Sequence, residues 1–214
     1  MSWALCLILM IPAAVAGAED WHLVRRDDVR DIRVYLRDIH GSSYKGFYAV
    51  TRIKSNLSSV VAVLSDVPAM PEWIARMQMA RLIKRDANRE IWVHSIYRLP
   101  YPFLEREAVL HSKLKQQRNG VVEVVTRTVK GLIKNHPKRV RLNNIRSIWR
   151  LTPEAYGVVR IEMWGQGEPG GYMPPLLFNY NLPDEPAQTL RHLRQMLMRE
   201  KYRNKTLSYI HEPQ

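Results

Sequence analysis

Residues 182–201, LPDEPAQTLRHLRQMLMREK, decide the fold. Asn181 is placed to cap a helix here, Pro183 with Asp184 and Glu185 suits a first turn, and Arg199 and Lys201 suit a last turn facing the negative end of the helix dipole. Ala187, Leu190, Leu193, Met196 and Leu197 recur at steps of three and four, so they form one apolar stripe, while Arg191, Arg194 and Gln195 point elsewhere. That stripe demands an apolar cover. Upstream the chain reads almost entirely as short strands, so the cover is a curved antiparallel sheet wrapped round one long helix. A sheet in that position can enclose a cavity.

The strands are legible by alternation. Residues 32–39 and 44–54 flank Gly41-Ser42-Ser43 and predict a hairpin; residues 20–28 predict a short helix or a lead-in. Ser55 or Asn56 can cap a helix carrying Leu57, Val60, Val61 and Leu64 that stops before Pro68, and Pro71 permits a second short helix with Trp73, Ile74 and Met77. From Ala80 onward seven segments alternate or are β-branched: 81–85, 90–98, 108–116, 121–130, 138–142, 145–151 and 158–164. Asn119-Gly120 is the strongest hairpin signal. With the first hairpin the total is about nine strands, followed by a Gly/Pro-rich passage over 165–175 and the last helix. The fold class is α+β.

A chain of 214 residues suits one domain, here 19–201, followed by a polar and loose tail over 202–214. Residues 1–18 combine an apolar run with an Ala16-Gly17-Ala18 site, the pattern of a secretory signal cleaved after Ala18, which predicts an exported, periplasmic or secreted protein. The n-region lacks Lys and Arg, so an uncleaved anchor or a misassigned start are the competing readings. Cys6, the only cysteine, lies in that stretch, which leaves the remainder without disulfide, thiolate metal site or cysteine nucleophile. The formal net charge of +13 falls wholly outside residues 1–18. Between Val124 and Pro153 there is no acid, yet eight Lys and Arg occur. Such a face either docks on an anionic membrane surface or is simply a solvated basic exterior. A nucleic-acid partner is argued against by the absence of interleaved exposed aromatics and by export.

Seven scattered histidines form no HExxH, the Gly165 to Gly171 cluster is no phosphate loop, and no serine sits in G-x-S-x-G. We therefore predict no catalytic residues, no metal and no cofactor.

Several local sequences resemble the START family, the StAR-related lipid-transfer domains, and especially their small exported bacterial members. The matches are 66–73 (DVPAMPEW), 97–102 (YRLPYP), Arg106-Glu107 opening the next strand, 148–153 (IWRLTP), and 168–171 (EPGG) ahead of 174–179. Their order spans nearly the whole chain after residue 18. The resemblance implies the helix-grip fold and a hydrophobic tunnel between sheet and C-terminal helix. It also implies one bound lipid and an opening where the loop before Arg106 meets that helix; a monomer is the expected state, which the sequence does not fix. Tyr101, Phe103 and Leu104 would form the gate, unless Phe103 and Leu104 plug the core. By strand parity Ala108, Leu110, Ser112 and Leu114 face inward with Ile161 and Met163, while Glu107, His111 and Lys113 face water. With Leu190, Leu193 and Leu197 from the helix they are the candidate lipid contacts, ordinary core packing being the alternative for each. In 90–98 either Val93, Ser95 and Tyr97 or Trp92 and Ile96 can face inward. Sterol-binding relatives carry a buried acid and arginine pair; here the arginine position falls on Ser112, which offers a hydroxyl and no charge. An acyl-chain lipid or an isoprenoid is then no less suitable than a sterol. The wider superfamily also contains cyclases and hydrolases of hydrophobic substrates, for which His94, Tyr97 or Tyr180 are the only candidate acid–base groups.

Overall fold

Period-two alternation becomes sheet almost wherever it occurs. The computed structural model describes residues 20–213, so the stretch read as a signal lies outside the described residues. The strands are β1 (His22–Asp27), β2 (Ile32–Arg37), β3 (Gly46–Lys54), β4 (Met77–Asp86) and β5 (Glu90–Tyr97). They continue as β6 (Arg106–Gln116), β7 (Val122–Thr128), β8 (Val140–Arg141), β9 (Ile145–Glu154) and β10 (Val158–Gly167). In space they run β1-β2-β3-β10-β9-β7-β6-β5-β4, all antiparallel, with the short β8 added parallel to β6. The strand beyond the nine expected is β1. Its sequence HLVRRD has no helical stripe, and the free edge of β2 offers it a ladder from His22/Leu36 to Asp27/Ile32.

Helices α1 (Leu57–Ser65) and α2 (Met70–Trp73) follow β3, and α3 (Pro175–Asn181) and α4 (Asp184–Met198) follow β10. Asn56 caps α1, its Oδ1 accepting from Ser59 N at 3.1 Å. On α4 the whole stripe, Ala187, Leu190, Leu193, Met196 and Leu197, is buried against α1, α2, β2 and β3. Each large member contributes about 1.5–3 kcal/mol by leaving water. Two arginines of the other face tie the helix down: Arg194 Nη1 donates to Thr51 Oγ1 (3.0 Å) and Arg52 O (2.6 Å), and Arg191 Nε to Asp27 Oδ2 (3.1 Å). Among the described residues no helix is long and apolar enough to cross a membrane.

Both ends of α4 differ from expectation. Asn181 ends the separate helix α3 and its amide donates to Leu177 O at 2.8 Å, so it does not cap α4; Pro183, without an N–H, breaks the ladder between the two helices. At the C-terminus Arg199 is extended, and it and Lys201 pair with Glu72 and Asp66 instead of completing a last turn.

The tail is not loose. Tyr202 and Ile210 are buried in the core, and Tyr202 Oη donates to Asp66 Oδ2 at 2.8 Å. The Glu212 carboxylate accepts from Leu57 N (2.9 Å) and Ser58 N (2.7 Å), satisfying two orphan donors at the positive end of α1. Polarity alone predicts looseness; partners more than 150 residues away override it. Ile210→Ala is expected to lower stability by about 2–4 kcal/mol in urea melts. An unchanged midpoint would mean that the tail does not pack.

Candidate ligand cavity

The concave face of the sheet is wider than α4, and the difference is left as space. A cavity of about 390 Å³ lies between the sheet, α2, α3 and the first turns of α4. Its floor comes in lateral rows set by strand register. The row farthest from Arg106 is Leu114, Val124, Trp149 and Met163, adjacent on β6, β7, β9 and β10. The next is Ser112, Thr126 and Ser147, in which Ser112 Oγ and Thr126 Oγ1 are 2.8 Å apart. This row continues to Gly165, where a Cβ would stand 2.3 Å from the Phe47 ring, so only glycine lets that ring lie across the strand. Leu110 and Ile145 line the wall nearer the mouth.

At the mouth Arg106 is buried and donates to three carbonyls: Nε to Pro169 O (3.0 Å), Nη2 to Gly170 O (3.0 Å) and Nη1 to Leu104 O (2.5 Å). One side chain therefore joins the loop after β5 to the Gly/Pro passage after β10. Gly170 has φ of +61°, and a Cβ there would meet Val140 at 2.9 Å, so this passage can pack on β8 only as glycine.

Of the residues predicted from parity, Leu110, Ser112, Leu114 and Met163 line the cavity. Ala108 and Ile161 are buried on the same sheet but lie off the wall. Leu190, Leu193 and Leu197 pack wholly into the core behind it. The part of α4 that reaches the wall is its start, Glu185, Pro186 and Thr189, with Leu182 just ahead. Periodicity could not find them, because the stripe marks the face that seals, not the end that stands off. At the proposed gate Phe103 lines the wall, whereas Tyr101 (96% exposed) and Leu104 (55%) project outside. In β5 it is Ile91, Val93 and Tyr97 that reach the wall.

Of the three acid–base candidates, Tyr97 alone lines the cavity. Burial pushes its hydroxyl up, away from the ionised form that a base requires. Tyr180 is exposed, and His94 lies against Glu107. Among the described residues no three His, Cys, Asp or Glu are grouped to hold a metal ion.

Glu107 does not face water as parity predicts. It is 1% exposed, its Oε1 accepting from His136 N (2.8 Å) and Arg141 Nη2 (2.9 Å), and its Oε2 lying 3.2 Å from His94 Nε2. The residues between β7 and β9 fold over the outer face of β6 and bring these partners with them. Parity gives the side of the sheet correctly; what covers that side is not legible locally.

No family model matches the chain. An uncharacterised protein of Pseudomonas aeruginosa is 30% identical over 191 residues, 86% of this chain and 93% of that protein. The crystal structure of a STAR-related lipid transfer protein from Xanthomonas axonopodis has a TM-score of 0.78 at 27% identity, covering 84% of this chain and 99% of that one. Human StAR-related lipid transfer protein 5 shares the fold, with a TM-score of 0.72 at 14% identity over 85% of this chain and 88% of its own.

Burial alone would raise the Glu107 carboxyl, but the His136 N–H, His94 and Arg141 outweigh it and hold the group below the usual range. A depressed carboxylate stabilises the fold above its unfolded value and loses that contribution as pH falls through the folded one. Stability should therefore decline with acid below about pH 4.5, and Glu107→Gln should cost about 3 kcal/mol at neutral pH and flatten the decline. Urea melts between pH 3 and pH 7 read both effects; parallel curves for the two proteins would remove Glu107 from the account.

Proposed function

The chain belongs to the START family of StAR-related lipid-transfer domains, and from that premise we propose that it is a non-enzymatic lipid carrier holding one hydrophobic ligand between the sheet and α4. The observation that carries the reading is the cavity itself, about 390 Å³ with a largely apolar wall and a size within the range of ligand pockets. Each methylene moved into such a wall gains about 0.8 kcal/mol, so a chain of moderate length can be held with few polar contacts. Leu110, Leu114 and Met163 are the proposed contacts from the sheet, with Trp149 beside them.

Loading and release would occur at an anionic membrane surface, which the protein visits transiently as a monomer. Leu99 and Phe103 from one side and Leu177 and Phe178 from the other form the mouth wall, and Tyr101, Leu104, Leu176 and Tyr180 stand exposed on the same two segments. Exposed apolar residues clustered at an opening suit insertion between headgroups. The net charge of +13 adds attraction to anionic lipid, about 1 kcal/mol for each Lys or Arg held near the surface. Residues 1–18, read as a secretory signal, would place this exchange in the periplasm or outside the cell.

The chain without residues 1–18, purified gently, should show a stoichiometric small hydrophobic mass in native spectra that denaturation releases. Absence of that mass together with no uptake from phospholipid vesicles would overturn the carrier reading. Leu176→Asp with Tyr180→Asp should slow lipid transfer between phosphatidylglycerol-containing vesicles at least about tenfold, since burying even one Leu-sized side chain is worth about 1.5 kcal/mol or more, while leaving the bound lipid in place. Transfer at the original rate would move docking away from α3.

A further inference from the structure

We propose that Ser112, Thr126 and Ser147 form a seat for an uncharged hydrogen-bond acceptor of the ligand, so that the lipid carried here is one with an ester, amide or similar neutral carbonyl. The inference rests on the cavity being a lipid site. The three residues are Cα partners in register on β6, β7 and β9, all inward, all on the cavity wall. Hydroxyls in line across three neighbouring strands stand between a row of Leu114, Val124, Trp149 and Met163 and a row in which Leu110 and Ile145 line the cavity and Thr128 turns its hydroxyl to the Ile145 N–H. Each hydroxyl brings one donor and two lone pairs. The 2.8 Å contact between Ser112 and Thr126 uses one of the three O–H groups. Ser147 Oγ has no protein partner among the described residues, so two O–H donors remain for a ligand. On the facing wall the buried Trp73 packs edge-on against Trp149, and its indole Nε1–H also lacks a partner. The hydroxyl lone pairs can be met by a ligand O–H or left facing the cavity, but the two O–H donors and the indole N–H call for an acceptor, and a carbonyl supplies one without bringing a charge.

The acceptor is neutral because the cations of the wall are elsewhere. Arg106 lies six residues from Ser112 along β6, roughly 20 Å at the rise of a strand, and is occupied by three carbonyls. Arg85 and Arg89 flank the β4–β5 turn, where their guanidiniums are held by Ser65 O and Tyr209 O; Ser112 is paired with Ile91 on the adjacent strand, two residues from Arg89, while Thr126 and Ser147 are two and three strands from β5, roughly 10 and 14 Å. Arg76 is paired with Glu185 and Lys45 with Asp38, and Arg146 projects to the exposed side of β9. An ionised carboxylate brought to the row would lose its hydration while the guanidiniums of Arg85, Arg89 and Arg106 stay engaged with carbonyls, whereas a neutral carbonyl loses little and gains two donors.

Calorimetric titration of the chain without residues 1–18, delipidated, with 1-monolauroylglycerol and with laurate tests this at equal chain length. Monolauroylglycerol should bind the tighter. Ser147→Ala should weaken it about three- to tenfold, the worth of one neutral hydrogen bond, and adding Ser112→Ala with Thr126→Val should weaken it further, with laurate changed less than twofold. Neither change orphans a protein group, since Ser147 is unpartnered and the other two are removed as a pair, so thermal melts should coincide. Equal losses for both lipids, or no loss for monolauroylglycerol, would overturn the neutral seat and leave the carrier reading standing. If the unaltered chain binds neither lipid, both fall together.

Discussion

Everything in this fold follows from seating one amphipathic helix on a sheet broader than itself. The stripe of α4 must be covered, and only the concave face formed by β2, β3 and their neighbours can cover it. Arg191 and Arg194 then fix the helix at the β2–β3 side of the sheet, through Asp27, Thr51 and the Arg52 carbonyl. Because the strands continue from β10 to β4 beyond the reach of α4, the remaining concave surface has to be covered by something else. The short α2, the start of α4 and α3 cover it incompletely, and the cavity is the remainder. A cavity of this origin needs no dedicated residues to hollow it out; it follows from the mismatch of one helix with a long, twisted sheet.

The same geometry explains why the wall is apolar in some rows and not in others. In an antiparallel sheet, laterally paired residues share a depth, so one substitution per strand at matched positions changes one whole level of the cavity. Leu114, Val124, Trp149 and Met163 make one level greasy, and Ser112, Thr126 and Ser147 make the next one polar. Had the hydroxyls been scattered among rows they would read as core residues bonding locally, as Ser95 does with the Ala108 carbonyl.

The sequence made these rows partly visible. Strand alternation and the α4 stripe were legible because both depend on local periodicity, and parity assigned Leu110, Ser112, Leu114 and Met163 to the inner face. Thr126 and Ser147 were not, since pairing across β6, β7 and β9 depends on register, which turn lengths set only loosely and a single slip reverses. Glu107, the tail and β1 were misread for a related reason. Each owes its state to a partner remote in sequence: Arg141 for Glu107, α1 for Glu212, and the β2 edge for β1. Local chemistry says that a carboxylate prefers water; it cannot say that a loop will fold over it.

The two segments at the mouth are joined by a contact of the same long-range kind. Arg106 sits at the head of β6, yet its three acceptors lie on two segments that line opposite sides of the mouth. Opening the mouth by moving either segment strands a buried guanidinium with fewer acceptors, which is costly unless water or a headgroup replaces them. On the proposed docking at a membrane, headgroup oxygens would substitute for the carbonyls of Leu104, Pro169 and Gly170, and the cost would fall. A cation satisfied only by backbone oxygens holds the two segments together in water, and on the proposed docking at a membrane it would release them without any carboxylate partner having to be removed first.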